Sequence, residues 1–304
     1  MHTLIFSEKK PKRLDVFLLA NCPGLTLGQL HKYLRENKIK TNGKKMPLAT
    51  RLLPGDEVCL YLPTEVEKTL GQAKRQAPLP TVLFEDENLL ALEKPAGLVS
   101  AAEDTREDSL LSRAKAYLAS KGDRTSFLRL CHRLDTGTSG VILLAKNRAF
   151  LSFTEACLRH RTLEKTYLCV TYGTPAAPAA TLKAYHTKDS EKGIVFVEKE
   201  PFAHAKPITT GYRVLESRPP LALLEVKPRT GRTHQIRAHL ALEGTPILGD
   251  AKYGLVHANR QYRCRYQCLC AKQVCFPGES TGAFPQYAGL CISAADPWFL
   301  TFFT

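Results

Sequence analysis

Residues 132–140 read His-Arg-Leu-Asp-Thr-Gly-Thr-Ser-Gly and lead directly into an apolar run, Val-Ile-Leu-Leu-Ala, at residues 141–145. The apolar run is typical of a buried strand, and the Thr, Gly and Ser residues before it are typical of a tight turn. The pattern predicts that the turn holds Asp135 beside a rigid strand, where its carboxylate can act as a nucleophile. An Asx-turn, in which Asp135 bonds only its own backbone, fits the same residues.

Three further segments flank this stretch. They are residues 93–98 (EKPAGL), residues 164–167 (EKTY) and residues 231–237 (GRTHQIR), the last followed by Gly-Asp at 249–250 and Tyr-Gly at 253–254. With residues 132–140, they resemble the ordered motifs of the RluA-type pseudouridine synthases, and the similarity runs from about residue 80 to about residue 255. The resemblance implies an enzyme that isomerises uridine in RNA to pseudouridine.

The resemblance also implies roles for three residues. Asp135 is the essential catalytic carboxylate, and Arg237, on a helix predicted at residues 233–242, is its partner. Tyr167 is a platform on which the uracil ring stacks, or alternatively a general base. The alternative interpretations are a turn-forming aspartate, a surface helical arginine and an ordinary strand aromatic.

Several cations near these residues are candidates for RNA contact. Arg133 could fill the space left by a flipped-out uridine, or hold a neighbouring phosphate. Arg229, Arg232 and His234 are further candidates for phosphate contact. We expect His132 to be a buried structural histidine, and Lys94 to shape a turn near the site.

Charge points to the kind of partner. The chain carries a net charge of +14, which favours a polyanionic partner, with nucleic acid ahead of a membrane surface. Half of that excess lies in residues 1–78, which hold 14 Lys or Arg against 7 Asp or Glu. Simple solubility is the alternative explanation. No apolar run approaches the roughly 20 residues that cross a bilayer.

Residues 1–62 are predicted to form a small α+β module. Apolar residues from Leu14 onward predict one helix, Thr26 is typical of the cap of a second, and Asn42-Gly43 is a hairpin turn signal. The segment resembles the small RNA-binding module shared by a ribosomal small-subunit protein and many RNA modification enzymes. Its candidate RNA-binding residues are Lys32, Arg35, Lys38, Lys40, Lys44 and Lys45. A solvated basic face is the alternative for this cluster.

A polar linker is predicted at residues 63–79, and the catalytic domain at residues 80–304. In the catalytic domain, strand-like segments outnumber helical ones and lack regular βαβ alternation, which predicts an α+β fold. The expected architecture is a mixed, largely antiparallel sheet with flanking helices. Two of the helices are predicted at residues 109–118 and 150–159.

Ten cysteines in a chain without a recognisable export signal predict reduced thiols in a cytosol. Four of them lie at Cys264, Cys268, Cys270 and Cys275, but their spacing is irregular for a structural zinc site and the segment alternates like a strand. We therefore expect no metal. The sequence also lacks a phosphate loop, a dinucleotide-binding fingerprint and the His-Glu-x-x-His zinc motif, so we expect no cofactor.

These observations predict a cytoplasmic, monomeric RNA pseudouridine synthase that needs no metal, nucleotide cofactor or membrane. Structured RNA is the expected partner, and large-subunit ribosomal RNA is favoured because family members with such a module resemble the ribosomal type. Transfer RNA is the enzymatic alternative. A non-catalytic RNA-binding or ribosome-assembly factor is the alternative outside enzymes, although such a protein would not need Asp135, Tyr167 and Arg237 together.

Overall fold

The computed structural model describes residues 2–7, 11–22, 25–62, 77–102, 108–123, 127–189, 194–278 and 282–304. The chain divides into two compact units between Ala77 and Pro78. Most of the predicted linker, residues 63–76, lies outside the described residues. Each unit has its own hydrophobic core.

The first unit is a small α+β fold. In chain order its elements are β1 (His2–Ile5), β2 (Lys12–Arg13), α1 (Leu14–Asn21), α2 (Leu27–Arg35), β3 (Ile39–Thr41), β4 (Arg51–Leu52) and β5 (Glu57–Leu60). Strands β1 and β3 flank β5 in an antiparallel sheet, and β2 pairs with β4. Both helices bury apolar residues in the core of this unit, including Phe17, Leu18 and Leu30.

Two local sequence signals in the first unit form as predicted. Thr26 caps α2, because its hydroxyl accepts a hydrogen bond from the Gln29 N–H (3.2 Å) and the Gln29 side chain accepts one from the Thr26 N–H (2.8 Å). Asn42-Gly43 forms a two-residue turn, since Thr41 and Lys44 exchange backbone hydrogen bonds. Both turn residues have positive φ (49° and 74°), which Asn and Gly tolerate.

The second unit is built on one large sheet. Its strands are β6 (Thr81–Glu85), β7 (Leu89–Lys94), β8 (Arg129–Leu130), β9 (Ser139–Ala145), β10 (Glu164–Tyr172), β11 (Ala179–Asp189), β12 (Ile194–Glu198), β13 (Lys206–Arg218), β14 (Leu221–Pro228), β15 (Leu269–Cys275) and β16 (Cys291–Ser293). Its helices are α3 (Leu110–Ser120), α4 (Arg148–His160), α5 (Gln235–Leu242) and α6 (Val256–Gln261). None of the described helices combines the length and apolar character needed to cross a membrane.

The sheet is largely antiparallel. Its strands lie in the order β12-β11-β13-β14-β10-β15-β9-β7-β6, with β16 beside β15 and β8 beside β9. Among the described strands, the β15–β9 pair alone is parallel. The helices predicted at residues 109–118 and 150–159 are observed as α3 and α4. The predicted α+β class is confirmed.

Strand β9 is covered on both faces, which explains its unbroken apolar sequence. Val141 and Leu143 belong to one core, together with residues of α4. Ile142 and Leu144 belong to a second core, together with residues of α3. The turn that carries Asp135 is therefore attached to a strand held from two sides.

The prediction of reduced thiols is wrong at one pair of cysteines. Cys275 and Cys291 form a disulfide, because they are cross-strand partners in β15 and β16 with Cα atoms 4.1 Å apart. The remaining eight cysteines are free, and all of them except Cys264 are buried. Cysteine counts and spacings do not reveal strand register, which decides this pairing.

Candidate active site

Asp135 lies at the start of the turn that leads into β9. Its carbonyl accepts a hydrogen bond from the Thr138 N–H (3.0 Å), so backbone groups close the turn. Within the described chain, the carboxylate accepts a hydrogen bond from Arg237 and none from its own backbone. The structure therefore contains no Asx-turn here, and the 27% exposed carboxylate lines a cavity.

Glycines let the turn approach neighbouring segments closely. Gly140 has a φ of +113°, which L side chains rarely adopt, and a Cβ there would collide with the backbone of Ala271 in β15. A Cβ on Gly137 would collide with the side chain of Gln267. The Gln267 amide donates to the Thr138 hydroxyl (3.0 Å). Close packing against these residues fixes the position of the turn.

Lys94 fastens the same turn from another side. Its side chain is fully buried, and its ammonium donates to the backbone carbonyls of Pro95 (2.9 Å), Leu98 (2.6 Å) and Thr136 (3.0 Å). Burial lowers the pKa of Lys94 to about 8, and the charge of Asp135 acts in the opposite direction. Lys94 thus joins the turn after β7 to the residue that follows Asp135, as well as shaping its own turn.

Arg237 holds two carboxylates at once. Its Nε and Nη2 donate to the two oxygens of Asp250 (2.6 and 2.9 Å), and its Nη1 donates to Asp135 (2.8 Å). The guanidinium also lies over the Tyr253 ring, 5.2 Å from its centroid. This arrangement uses several donors of one planar group, which a lysine could not reproduce.

Asp250 is the anchor of that arrangement. The residue is buried and also accepts hydrogen bonds from the backbone N–H groups of Lys252 (2.8 Å) and Tyr253 (3.1 Å). Burial acts to raise the pKa of Asp250, but the hydrogen bond and charge of Arg237 outweigh it and the pKa is lowered. Burial acts to lower the pKa of Arg237, and the two carboxylates raise it well above its usual value. Asp135 therefore faces a permanent positive charge.

Tyr167 lines the same cavity as Asp135. It lies on β10 opposite Val226 of β14 and Ala271 of β15, beside an irregularity in the ladder at Thr166. Burial raises the pKa of Tyr167 above its usual value, and the charge of Asp135 raises it further. The hydroxyl is therefore protonated at neutral pH, and the partly buried side chain borders the cavity.

Two histidines near Asp135 differ in their contacts. His132 Nε2 accepts a hydrogen bond from the Leu143 N–H (3.2 Å), and burial lowers the pKa of His132 to about 3, so this ring is neutral. His234 Nδ1 lies 2.8 Å from the Tyr253 hydroxyl, and its Nε2 lies 3.9 Å from the Asp135 carboxylate. Burial also lowers the pKa of His234. His132 has the contacts of a structural residue, whereas His234 faces the carboxylate without a direct hydrogen bond.

The cavity beside Asp135 has a volume of about 1360 Å³ and a cationic lining. All four predicted RNA contacts near the site line it, namely Arg133, Arg229, Arg232 and His234. Five lining cations were missed by the sequence analysis: Arg159, Arg161, Lys165, Lys227 and Lys252. Only the position of Lys165 inside a motif could have drawn attention to it. The described lining includes two acidic residues, Asp135 and Glu164, so the cavity suits a polyanion.

The basic residues predicted to bind RNA in the first unit lie at its surface. Four of them are exposed, namely Lys32, Arg35, Lys44 and Lys45. Lys38 is half-buried and pairs with Glu36 (2.7 Å), and Lys40 lies over the ring of Tyr61 (5.6 Å). All of the catalytic candidates, by contrast, belong to the second unit.

Metal binding finds no support in the described ranges, which contain no group of three or more His, Cys, Asp or Glu side chains placed to hold an ion. Two free thiols there, Cys264 and Cys268, have their Sγ atoms 3.8 Å apart. The expectation that no metal is needed stays a prediction.

Several known proteins are similar to this chain. The model of the RNA pseudouridylate synthase family matches residues 88–242. The chain is 33% identical to an uncharacterized RNA pseudouridine synthase of Mycoplasma pneumoniae, over 94% of this chain and 93% of that protein. It is 35% identical to ribosomal large subunit pseudouridine synthase C of Rickettsia bellii, over 80% of this chain and 82% of that protein. A solved structure, human RNA pseudouridylate synthase domain containing 4, covers 73% of this chain and 90% of its own, with a TM-score of 0.57 and 26% identity.

Proposed function

This chain belongs to the RNA pseudouridylate synthase family, and on that premise we propose that it isomerises specific uridines of large-subunit ribosomal RNA with Asp135 as the essential carboxylate. The observation that carries the proposal is the Asp135–Arg237 pair, 2.8 Å apart, on the wall of a cationic cavity. The pair supplies an oriented carboxylate, and the cavity supplies a place for an RNA strand.

The reaction breaks the bond between the ribose and a uracil nitrogen, turns the base, and joins the ribose to a uracil carbon. Atoms are conserved, so the chemistry requires no redox partner and no energy source. Attack on the sugar, attack on the base and removal of a sugar proton all place a carboxylate beside the sugar–base junction. Arg237 keeps Asp135 aimed at the cavity, because its Nη1 donates a hydrogen bond to the Asp135 carboxylate.

Tyr167 is proposed to hold the detached uracil. A base that has left its ribose must stay in the site while it turns, and stacking on an aromatic ring contributes about 1–3 kcal/mol per base. The raised pKa of Tyr167 keeps its hydroxyl protonated in the free enzyme. The ring is therefore available as an uncharged platform beside Asp135.

The cationic lining supports RNA as the substrate. A uridine in a structured RNA must leave its stack before a carboxylate can reach it. Arg133, two residues before Asp135 in the chain, is proposed to fill the vacated space or hold a neighbouring phosphate. Arg229, Arg232 and His234 are proposed to contact phosphates on the cavity wall. The basic residues of the first unit are proposed to add affinity for structured RNA.

Large-subunit ribosomal RNA is proposed as the target because the relatives include proteins called ribosomal large subunit pseudouridine synthase C. Such an enzyme would work in the cytoplasm, where that RNA is made in bacteria. We further propose that it acts as a monomer without a nucleotide cofactor, since one chain supplies Asp135, Tyr167 and Arg237 to the same cavity.

Mapping of pseudouridine in cellular RNA, with and without this gene, tests the proposal. We expect at least one uridine of large-subunit ribosomal RNA to lose its modification when the gene is deleted. The parent gene should restore it, and a gene encoding Asp135→Asn should not. Loss confined to transfer RNA would move the target to that RNA. An unchanged pseudouridine map in every RNA would refute the proposed function.

A further inference from the structure

Lys165 is a cation of the cavity that lacks a partner in the described chain. Its ammonium makes no hydrogen bond or ion pair there, although the side chain is partly buried. The buried cations nearby differ. Arg237 is held by two carboxylates, and Lys94 donates to three carbonyls. Because a partly desolvated charge without a partner is unfavourable, Lys165 calls for a ligand of opposite charge.

We infer that Lys165 binds a phosphate of the RNA backbone next to the target nucleotide. The inference deepens the proposed function, on which it rests, by assigning a phosphate contact to a residue for which the sequence predicted none. The probe for this contact is a phosphodiester, because each such linkage carries a full negative charge. The Lys165 ammonium has no anionic partner among the described residues.

The position of Lys165 on β10 fits a phosphate. Lys165 precedes Tyr167 by two residues, a separation of about 6–7 Å along a strand. Residues two apart in a strand lie on the same side of the sheet, and both of these line the cavity with Asp135. If a base stacks on Tyr167, the ribose and then the phosphate of the same nucleotide can extend toward Lys165.

The Lys165 ammonium lies beside the loop after β14. A Cβ built on Gly231 of that loop would stand 3.5 Å from the Lys165 Nζ, which is ordinary van der Waals contact. The flanking residues of that loop, Thr230 and Arg232, also line the cavity. A phosphate here would meet Lys165 from one wall and this cationic loop from the other.

Burial affects the protonation of Lys165. Removal of water from around the ammonium lowers the pKa of Lys165 below the usual lysine value. The charge of Lys165 also disfavours protonation of His132. An anion bound beside Lys165 would raise the pKa of Lys165 again, because a nearby opposite charge favours the charged form.

The test compares the full-length protein with its Lys165→Met and Lys165→Arg variants. The probe is a fluorescent oligouridylate, whose dissociation constant is measured against salt concentration. We expect Lys165→Met to weaken binding about tenfold at low salt and to reduce the salt slope by about 0.7, the value for one phosphate of a single strand. Lys165→Arg should keep the slope of the parent. Lys115→Met is the matched control, because Lys115 is exposed on α3 and lies outside the cavity lining.

A neutral probe separates phosphate from base. The same oligomer with uncharged methylphosphonate linkages should bind equally to the parent and to Lys165→Met. If the difference between the two proteins persists on the neutral oligomer, Lys165 contacts the base or sugar and the inference is wrong. The inference also fails if Lys165→Met binds the charged oligomer with the affinity and slope of Lys115→Met. Neither measurement involves turnover, so an unchanged pseudouridine map in cells would refute the proposed function without deciding this contact.

Discussion

The carboxylate of Asp135 and the guanidinium of Arg237 are 2.8 Å apart, although 102 positions separate the two residues in the chain. Asp135 comes from the turn before β9, and Arg237 comes from α5, which packs Ile236 and Leu240 against the sheet. Asp250 accepts two hydrogen bonds from the other edge of the same guanidinium. The orientation of Asp135 therefore depends on three segments that meet only in the folded chain.

Replacing Asp135 by Asn should abolish pseudouridine formation while leaving RNA binding nearly intact. The substitution keeps the shape of the side chain and removes its charge. We expect turnover to fall to background and the dissociation constant for RNA to change less than about tenfold, roughly 1.4 kcal/mol. Turnover of labelled RNA checks the loss of activity, and a binding isotherm checks that RNA affinity is retained. Substantial residual turnover would show that Asp135 is not the essential catalytic carboxylate.

Substitutions of Tyr167 should separate its ring from its hydroxyl. Tyr167→Leu removes the stacking surface, and we expect it to lose about 1–3 kcal/mol of stabilisation of the base. Tyr167→Phe keeps the ring, so it should remain close to the parent if stacking alone matters. If the hydroxyl moves a proton, the Phe variant should lose about 10²–10⁴ in rate. Single-turnover rates distinguish these outcomes, and full activity of the Leu variant would exclude both roles.

Asp250→Asn should destabilise the protein and also reduce its activity. Removing one partner of a buried ion pair costs about 3–5 kcal/mol, and we expect a loss near the lower end because Arg237 keeps Asp135 as its second carboxylate partner. The control is Asp296→Asn, since Asp296 pairs with Lys272 but is 77% exposed, and an exposed pair is worth about 0–1 kcal/mol. Denaturant unfolding and turnover are measured on both variants. If Asp250→Asn and Asp296→Asn have equal free energies of unfolding, Asp250 does not anchor Arg237.

Acid should weaken the second unit through His132. The pKa of His132 is about 3 when folded and about 6.5 when unfolded, so the unfolded chain binds the extra proton between these values. Stability is thus complete above pH 6.5 and is lost as the pH falls toward 3, by up to about 1.4 kcal/mol per pH unit. His239, with its pKa lowered to about 4, adds a similar effect. Unfolding is followed by the fluorescence of Trp298, the single tryptophan of the chain.

The variant His132→Gln should flatten this acid dependence, because an amide oxygen can still accept the Leu143 N–H but does not titrate. His31→Gln is the matched control, since His31 is exposed in the first unit. Identical pH slopes for the parent and His132→Gln would show that the His132 ring is not the cause.

Alanine at Lys32, Arg35 and Lys38 should weaken RNA binding and make it less dependent on salt. Each cation that neutralises a phosphate contributes about 0.7–0.9 to the slope of log affinity against log salt. A control triple variant at Lys115, Arg213 and Arg218 removes the same charge from exposed sites outside the cavity lining. Binding of a structured RNA is measured against salt for the parent and both variants. If all three slopes coincide, the basic face of the first unit is merely solvated.

Much of the site could be anticipated from contiguous residues. The turn at residues 132–140 and the strand after it are local features, so Asp135 and its attachment to β9 follow from neighbouring residues. The capping box at Thr26 and the turn at Asn42-Gly43 are equally local. Lys94 was expected only to shape a turn, because nothing near it in sequence shows that its ammonium reaches the carbonyl of Thr136.

The sequence by itself determined the family, the α+β class and the candidate residues Asp135, Tyr167 and Arg237, because motifs and apolar periodicity are properties of short segments. Only the tertiary structure decided which carboxylate anchors Arg237, that Lys165 is half-buried without a partner among the described residues, and which cysteines pair. Those outcomes depend on strand register and on contacts between residues far apart in the chain. The Cys275–Cys291 bond and the position of the Lys165 ammonium on the cavity wall both arise from the way separate strands and loops are brought side by side.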